Sequence, residues 1–259
     1  MIRNTDTLLQ IAVQLFVIYH MVRLLKENRR SLPAVFFTFA LVSFLVSDLY
    51  WITHTLMKAG ARIPFAANEI GESGMCLLFA AVLNTAFREK KANTRIEVIC
   101  TALFSAASAA LWIGWSGEWV KDILSGIVFG YFLCTAVRSL KITDSFSKKE
   151  WIVLAVASAV LIAVQTTIFF VPPPINQRLD AFCYVLMFVG IALFFLKTIC
   201  SFHTGKDADQ ALSLSFASFG WTTSTMYMSA DPMWFAADTC CTVVLLLMYY
   251  ALRRKVFEA

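Results

Sequence analysis

Charge is scarce in this chain. Asp, Glu, Lys and Arg make up 15% of its 259 residues, against 59% hydrophobic residues, which is too little to cover a soluble domain and within the range of polytopic membrane proteins. A separate soluble domain is thereby excluded, and residues 1–259 read as one integral membrane domain. Cysteine pairs are missing too: no Cys-x-x-Cys and no Cys/His cluster occurs, so spacing supports no structural zinc site, and no ligand set for any other metal stands out. All seven cysteines fall inside apolar runs, which argues against a disulfide framework. The chain has no Gly-x-Ser-x-Gly, no His-Glu-x-x-His and no phosphate-cradling glycine loop, so an enzyme built on it would be an unusual one, and nothing in it asks for a cofactor. The absence of an Asn-x-Ser/Thr sequon fits a bacterial cytoplasmic membrane.

What fills the chain is apolar runs of about 20 residues, each enough to cross a ~30 Å hydrocarbon layer as helix. Nine succeed one another, at Thr7 to Leu25, Pro33 to Met57, Phe65 to Phe87, Thr94 to Ile113, Trp119 to Arg138, Glu150 to Val171, Asp180 to Ser201, Gln210 to Met228 and Met233 to Leu252. They are continuously apolar rather than alternating, which predicts an all-α transmembrane bundle and not a barrel. One leading helix followed by four hairpins is the simplest arrangement. The first run lacks a basic leader and a small-residue cleavage site, so it is expected to stay in place as a span.

Basic residues set the orientation. Arg23, Lys26, Arg29 and Arg30 follow the first run, Arg88, Lys90, Lys91 and Arg95 the third, and Arg138, Lys141, Lys148 and Lys149 the fifth. With Lys197 and Lys206 after the seventh run and Arg253, Arg254 and Lys255 after the ninth, 17 of the 22 Lys and Arg share one face. The positive-inside rule then predicts an outer amino terminus and a cytoplasmic carboxyl terminus. Spread over five short loops, the net charge of +5 is a topology signal; it gives no reason to invoke nucleic acid, and lipid headgroups are the expected neighbours.

One stretch recurs. WITHTLMKAGARIPFAAN, Trp51 to Asn68, aligns without a gap to WTTSTMYMSADPMWFAAD, Trp221 to Asp238, with Trp, two Thr and Phe-Ala-Ala in common and Asn68 opposite Asp238. The two copies occupy equivalent places in the topology, so residues 33–87 and 210–252 are candidates for a parallel internal repeat.

Carboxylates lie inside the runs. Asp48 falls about 13 Å below the outer end of the second span, Glu69 and Glu72 about 7 and 12 Å down the third, and Asp238 about 9 Å down the ninth, at 1.5 Å per residue. Asn68 and Ser73 flank the glutamates on one helical face. Acids at such depth usually face a wet interior and mark a solute, ion or proton path, whereas Glu118, Asp122, Asp180 and Asp231, in first turns, need only the helix dipole. Struts paired with Lys58, Arg62, Lys121 or Arg178 are the structural alternative for the deeper acids. Polar stripes at the same depth (Asp6, Gln10 and Gln14; Gln165, Thr166 and Thr167; Ser215, Ser218, Thr222 and Thr225) suggest a polar vestibule, although Ser and Thr at that spacing more often serve helix packing. The tryptophans mostly sit near span ends, as interfacial anchors do.

Phe44-Leu45-Val46-Ser47-Asp48 resembles the Ser-Asp segment of the lysoplasmalogenase family, multi-spanning lipid hydrolases that use membrane aspartates. The resemblance covers these five residues, the rest of the chain departs from that pattern, and no role is transferred. The expectation is a transporter or solute-binding protein whose outward vestibule, with Asp48, Glu69, Glu72, Asp238, Asn68 and Gln165, takes a cation, a proton or a cationic small solute. An intramembrane lipid hydrolase with two of the acids as general acid and base, or a structural or sensory subunit, are the rivals.

Overall fold

The computed structural model describes residues 2–27, 31–57, 67–88, 94–116, 119–168, 170–172, 174–203, 207–229 and 232–257. Among them the only regular structure is nine helices: α1 (Ile2–Glu27), α2 (Leu32–Met57), α3 (Ala67–Ala86), α4 (Thr94–Ser116), α5 (Trp119–Ile142), α6 (Lys148–Ile168), α7 (Ile175–His203), α8 (Ala208–Tyr227) and α9 (Met233–Phe257). Each matches a predicted run with ends within a few residues. Six of them, α1, α2, α5, α6, α7 and α9, are long and apolar enough to cross a membrane on length and composition alone. The chain is an all-helical bundle suited to a membrane.

Local chemistry places several helix ends. At the start of α6, Glu150 Oε2 accepts from the backbone N–H of Ser147 at 2.7 Å while Ser147 Oγ accepts from the N–H of Glu150 at 3.4 Å, a reciprocal capping box. α5 stops where Asp144 takes a positive φ of 46° and Ser145 N–H reaches back to Leu140 O at 3.0 Å. That left-handed turn closes the helix and lets α6 follow within six residues. α7 begins directly after the proline triplet, with Pro172 O accepting from Ile175 N–H at 3.1 Å; Pro173 is outside the described residues.

Neighbours in sequence pack as hairpins, α2 on α3, α4 on α5, α6 on α7 and α8 on α9. α1 lies against α2 and α9, α3 against α5, and α5 against α8, which closes a ring of six helices; α4 rests on α5, and α7 with α6 rests on α8. α8 is the most enclosed element, with 13 buried residues. That enclosure explains how a Ser/Thr-rich helix is tolerated: Ser215, Thr222 and Thr225 return their hydroxyls to the carbonyls of Leu212, Ser218 and Trp221 at 2.8, 2.8 and 3.1 Å.

Close backbone contact holds α4 on α5. A methyl group on Gly126 would meet the Ala109 backbone at 2.5 Å, and one on Gly130 the Ser105 backbone at 2.5 Å. Gly126 and Gly130 are thus a small-xxx-small pair facing Ala109 and Ser105, the means by which helices associate where lipid removes the hydrophobic drive. The centre of the bundle is a cluster of phenylalanines: Phe79 stacks on Phe37 at 5.8 Å and meets Phe216 and Phe219 edge-on at 5.4 and 5.2 Å, with Phe132 at 6.1 Å. All five are essentially inaccessible.

Trp221 corrects the reading of the tryptophans as anchors. Its indole packs over Gly190, where a methyl would meet the ring at 2.4 Å, and its Nε1 donates to Met187 O at 3.0 Å. It locks α7 to α8 inside the bundle, unlike Trp51, its counterpart in the recurring stretch. The turns of that stretch, residues 58–66 and 230–231, lie outside the described residues, as do Glu118, Lys58, Arg62 and the side chain of Lys121.

Candidate functional site

The ring of helices encloses a cavity of about 320 Å³ toward the end where α2 and α8 finish and α3, α5 and α9 begin. α2 contributes Asp48, Ser47 and Trp51, α3 contributes Asn68, Glu69 and Glu72, α5 contributes Asp122 and Ser125, and α9 contributes Trp234 and Asp238. Five of the six residues expected at the site therefore line one cavity. None of its described lining residues is Lys, Arg or His.

Depth along each helix orders the lining. Asn68, Glu69 and Trp234 sit nearest the helix starts, the acids Asp48, Glu72 and Asp238 come about a turn further in, and Phe44, Cys76 and Phe129 form the floor. Beneath Phe129 is Phe132, ring centres 6.3 Å apart. The phenylalanine cluster closes the cavity toward the basic ends of the helices.

Helix α1 holds two of the acids from one side. Gln14 Nε2 donates to Asp48 Oδ2 at 2.7 Å, and one turn earlier Gln10 Nε2 donates to Asp238 Oδ1 at 3.1 Å. The i,i+4 stripe seen in the sequence is thus a pair of clamps, one toward α2 and one toward α9. Asp6, the third member, lies beside Asp238 and accepts from Thr239 Oγ1 at 3.0 Å. Across the cavity Tyr227 donates to Glu72 Oε2 at 2.5 Å, with Ser47 Oγ at 3.4 Å from Oε1. Asp48 and Asp238 are 8% and 4% exposed, so each carboxyl is removed from bulk water and meets neutral donors. Gln14 is the one hydrogen-bond partner of Asp48 among the described residues, and it occupies only Oδ2.

Gln165 does not join this group. It is 1% exposed in the α6–α7 contact, beside the thiol of Cys183, with no further partner among the described residues for its amide. Thr166 and Thr167 bond back to Ile162 O and Ala163 O at 2.7 Å each, and Ser215, Thr222 and Thr225 of α8 bond back likewise, while Ser218 Oγ is buried with no partner among the described residues; none of these residues lines the cavity. α8 supplies Met226 and Tyr227 instead. Asp122 is the reverse case: its first-turn position suggested the helix dipole alone, yet it is 2% exposed and faces the cavity with Ser125 and Phe129. Its i,i+3,i+7 spacing to those two residues was the available signal. Arg178 is exposed.

Comparison with protein-family models, with curated proteins and with solved structures finds no match to this chain.

Proposed function

We propose that the chain is a transporter or solute-binding protein of a cell membrane, with all nine helices as spans and the cavity as a vestibule open to the outer side. Its ligand is a cation: a proton, an ion or a cationic small solute. The observation that carries this reading is that Asp48 of α2 and Asp238 of α9, 8% and 4% exposed, line one cavity and are held by glutamine amides, with no basic residue among its described lining. Buried carboxyls are costly unless compensated, and a ligand bringing positive charge or hydrogen-bond donors supplies the compensation. The parallel repeat of residues 33–87 and 210–252 is proposed on the recurring stretch, in which Asn68 falls opposite Asp238.

Thermal unfolding of the purified chain in detergent tests the binding. Metal ions, polyamines or cationic amino acids are expected to raise the parent's Tm, and Glu72→Gln and Asp238→Asn to lose that gain without melting lower in the absence of ligand, because a ligand stabilises only the state that binds it. If both variants melt far below the parent and no cation stabilises it, the acids are struts and the structural reading replaces this one. Orientation is tested separately. In a cysteine-free background, Gln177→Cys should react with an impermeant maleimide on intact cells and Lys149→Cys should not.

The hydrolase rival draws on the hydrogen bond from Tyr227 to Glu72 in the cavity that Asp48 also lines, an acid held by a phenol next to a second acid. Release of lysolipid or free headgroup from lipids incubated with the protein, read by mass spectrometry, would favour it.

A further inference from the structure

The walls of the cavity narrow the kind of cation it suits. Besides its acids, the lining includes Trp51 and Trp234 near the mouth and Phe44 and Phe129 at the floor. Aromatic faces attract organic cations and offer an apolar surface to a hydrocarbon body; a small hydrated ion uses neither. Although the acids line one cavity, no group of three or more His, Cys, Asp or Glu among the described residues is placed to hold a metal ion. A Ca²⁺ or Mg²⁺ site needs several oxygens at about 2.0–2.6 Å from one point.

Asp48 gives the second, independent indication. It is 8% exposed, lines the cavity, and has its Oδ1 without a hydrogen-bond partner among the described residues while Oδ2 takes Gln14. An acceptor left over at that burial calls for an N–H or O–H donor from a ligand. The two clamps add a spacing. Gln10 and Gln14 are one turn apart on α1, about 6 Å along its axis, and each holds one of the aspartates. A four-methylene chain separates two ammonium groups by a similar length.

Resting on the vestibule reading above, we infer that the cavity binds a protonated alkyl amine: its N–H groups on Asp48 and Asp238, its hydrocarbon body between Trp51, Trp234 and Phe129, with a short diamine as the simplest molecule that meets both aspartates. A volume of about 320 Å³ is that of a small-metabolite site.

Equilibrium binding of radiolabelled butane-1,4-diamine to the full chain in detergent tests the assignment. Saturable binding is expected, displaced by unlabelled diamine and more weakly by butylamine. Tetramethylammonium, which has no N–H, and NaCl, KCl, MgCl₂ or CaCl₂ at matched ionic strength should displace little. Trp51→Leu and Trp234→Leu should each weaken binding about five- to thirty-fold, with Trp51→Phe keeping most of it, and Asp48→Asn should remove tight binding. Displacement by inorganic cations as effective as by diamine, or thermal stabilisation by metal ions with no diamine binding, overturns the amine assignment and leaves the cation vestibule standing. Absence of diamine binding together with absence of stabilisation by any cation removes both. The displacement pattern needs only the parent protein, so a variant that fails to fold does not leave the question open.

Discussion

The two ends of the bundle treat their acids in opposite ways. At the end where α5, α7 and α9 finish, Glu97 meets Arg138 at 2.6 Å, Glu150 meets Lys197 at 2.8 Å, and Asp209 pairs with Lys255. These bases are held further: Lys197 donates to Ser145 O at 2.7 Å and lies 3.9 Å from the centre of the Phe146 ring, and Arg138 reaches Asn84 Oδ1 at 3.1 Å. At the other end, Asp48 and Asp238 meet glutamine amides instead. The pairs at the first end are ion-paired and partly exposed, whereas Asp48 and Asp238 are 8% and 4% exposed and, among the described residues, meet amides rather than bases, the contrast on which the proposed cation site rests.

That contrast can be broken by substitution, beginning where both ends depend on one contact. Gly130→Leu drives a side chain into the Ser105 backbone and separates α4 from α5, displacing Glu97 from Arg138 at one end and Asp122 at the other. A loss of more than about 3 kcal/mol is expected, visible as a collapse of the monodisperse peak in size exclusion and of the thermal transition. A variant that retains both would show that the α4–α5 contact is dispensable.

Next in size is the basic end. Asp209→Asn leaves Lys255 partly enclosed, with side chains 18% and 19% exposed in the pair, and should cost about 1–3 kcal/mol in denaturant-monitored unfolding, between the values for surface and buried pairs. An unchanged midpoint would mean that this pair is ornament, and the difference between the ends would shrink. Smaller again is the amide clamp. Gln14→Leu with Asp48→Leu in a double-mutant cycle should give a coupling of about 1–2 kcal/mol, the range for a hydrogen bond to a charged or strongly polar group.

The smallest change is expected from the substitution that would matter most in an ion pair. Asp48→Asn and Asp238→Asn each keep an oxygen for their glutamine and remove a carboxyl that no basic side chain among the described residues neutralises, so unfolding without ligand should move by no more than about 0.5 kcal/mol or rise. If Asp48→Asn destabilises as much as Asp209→Asn, the two ends are of one kind.

Much of this fold was legible because long apolar runs announce helices, and all nine among the described residues fall where such runs do, six of them long and apolar enough to cross a membrane. The site was legible in part for the same reason: Asp48, Glu72 and Asp238 stand out against apolar surroundings, and depth alone separates them from first-turn acids. Rotation of each helix about its axis was not legible. Nothing in the run around Gln165 shows that it turns toward Cys183 rather than the cavity, and the α8 stripe hid that Ser215, Thr222 and Thr225 return their hydroxyls to their own helix. Asp122 was missed because one position served two explanations, helix dipole and cavity wall, and only its neighbours on α5 and α8 decide between them.

The phenylalanine cluster beneath the cavity gives the bundle an electrical property. Phe37, Phe79, Phe132, Phe216 and Phe219 offer no hydrogen-bonding atom, so an ion driven through them would shed its water with nothing to replace it. In this conformation the bundle is an insulator with a socket on one side. If the proposed function holds, a cation seated at Asp48 would exchange only by the way it entered, and no current should flow through the reconstituted protein under an applied voltage. Passage would require Phe79, which touches the other four rings, to give way with them as a unit. The movement would then be made in discrete turnovers, one seated cation at a time, rather than as a stream.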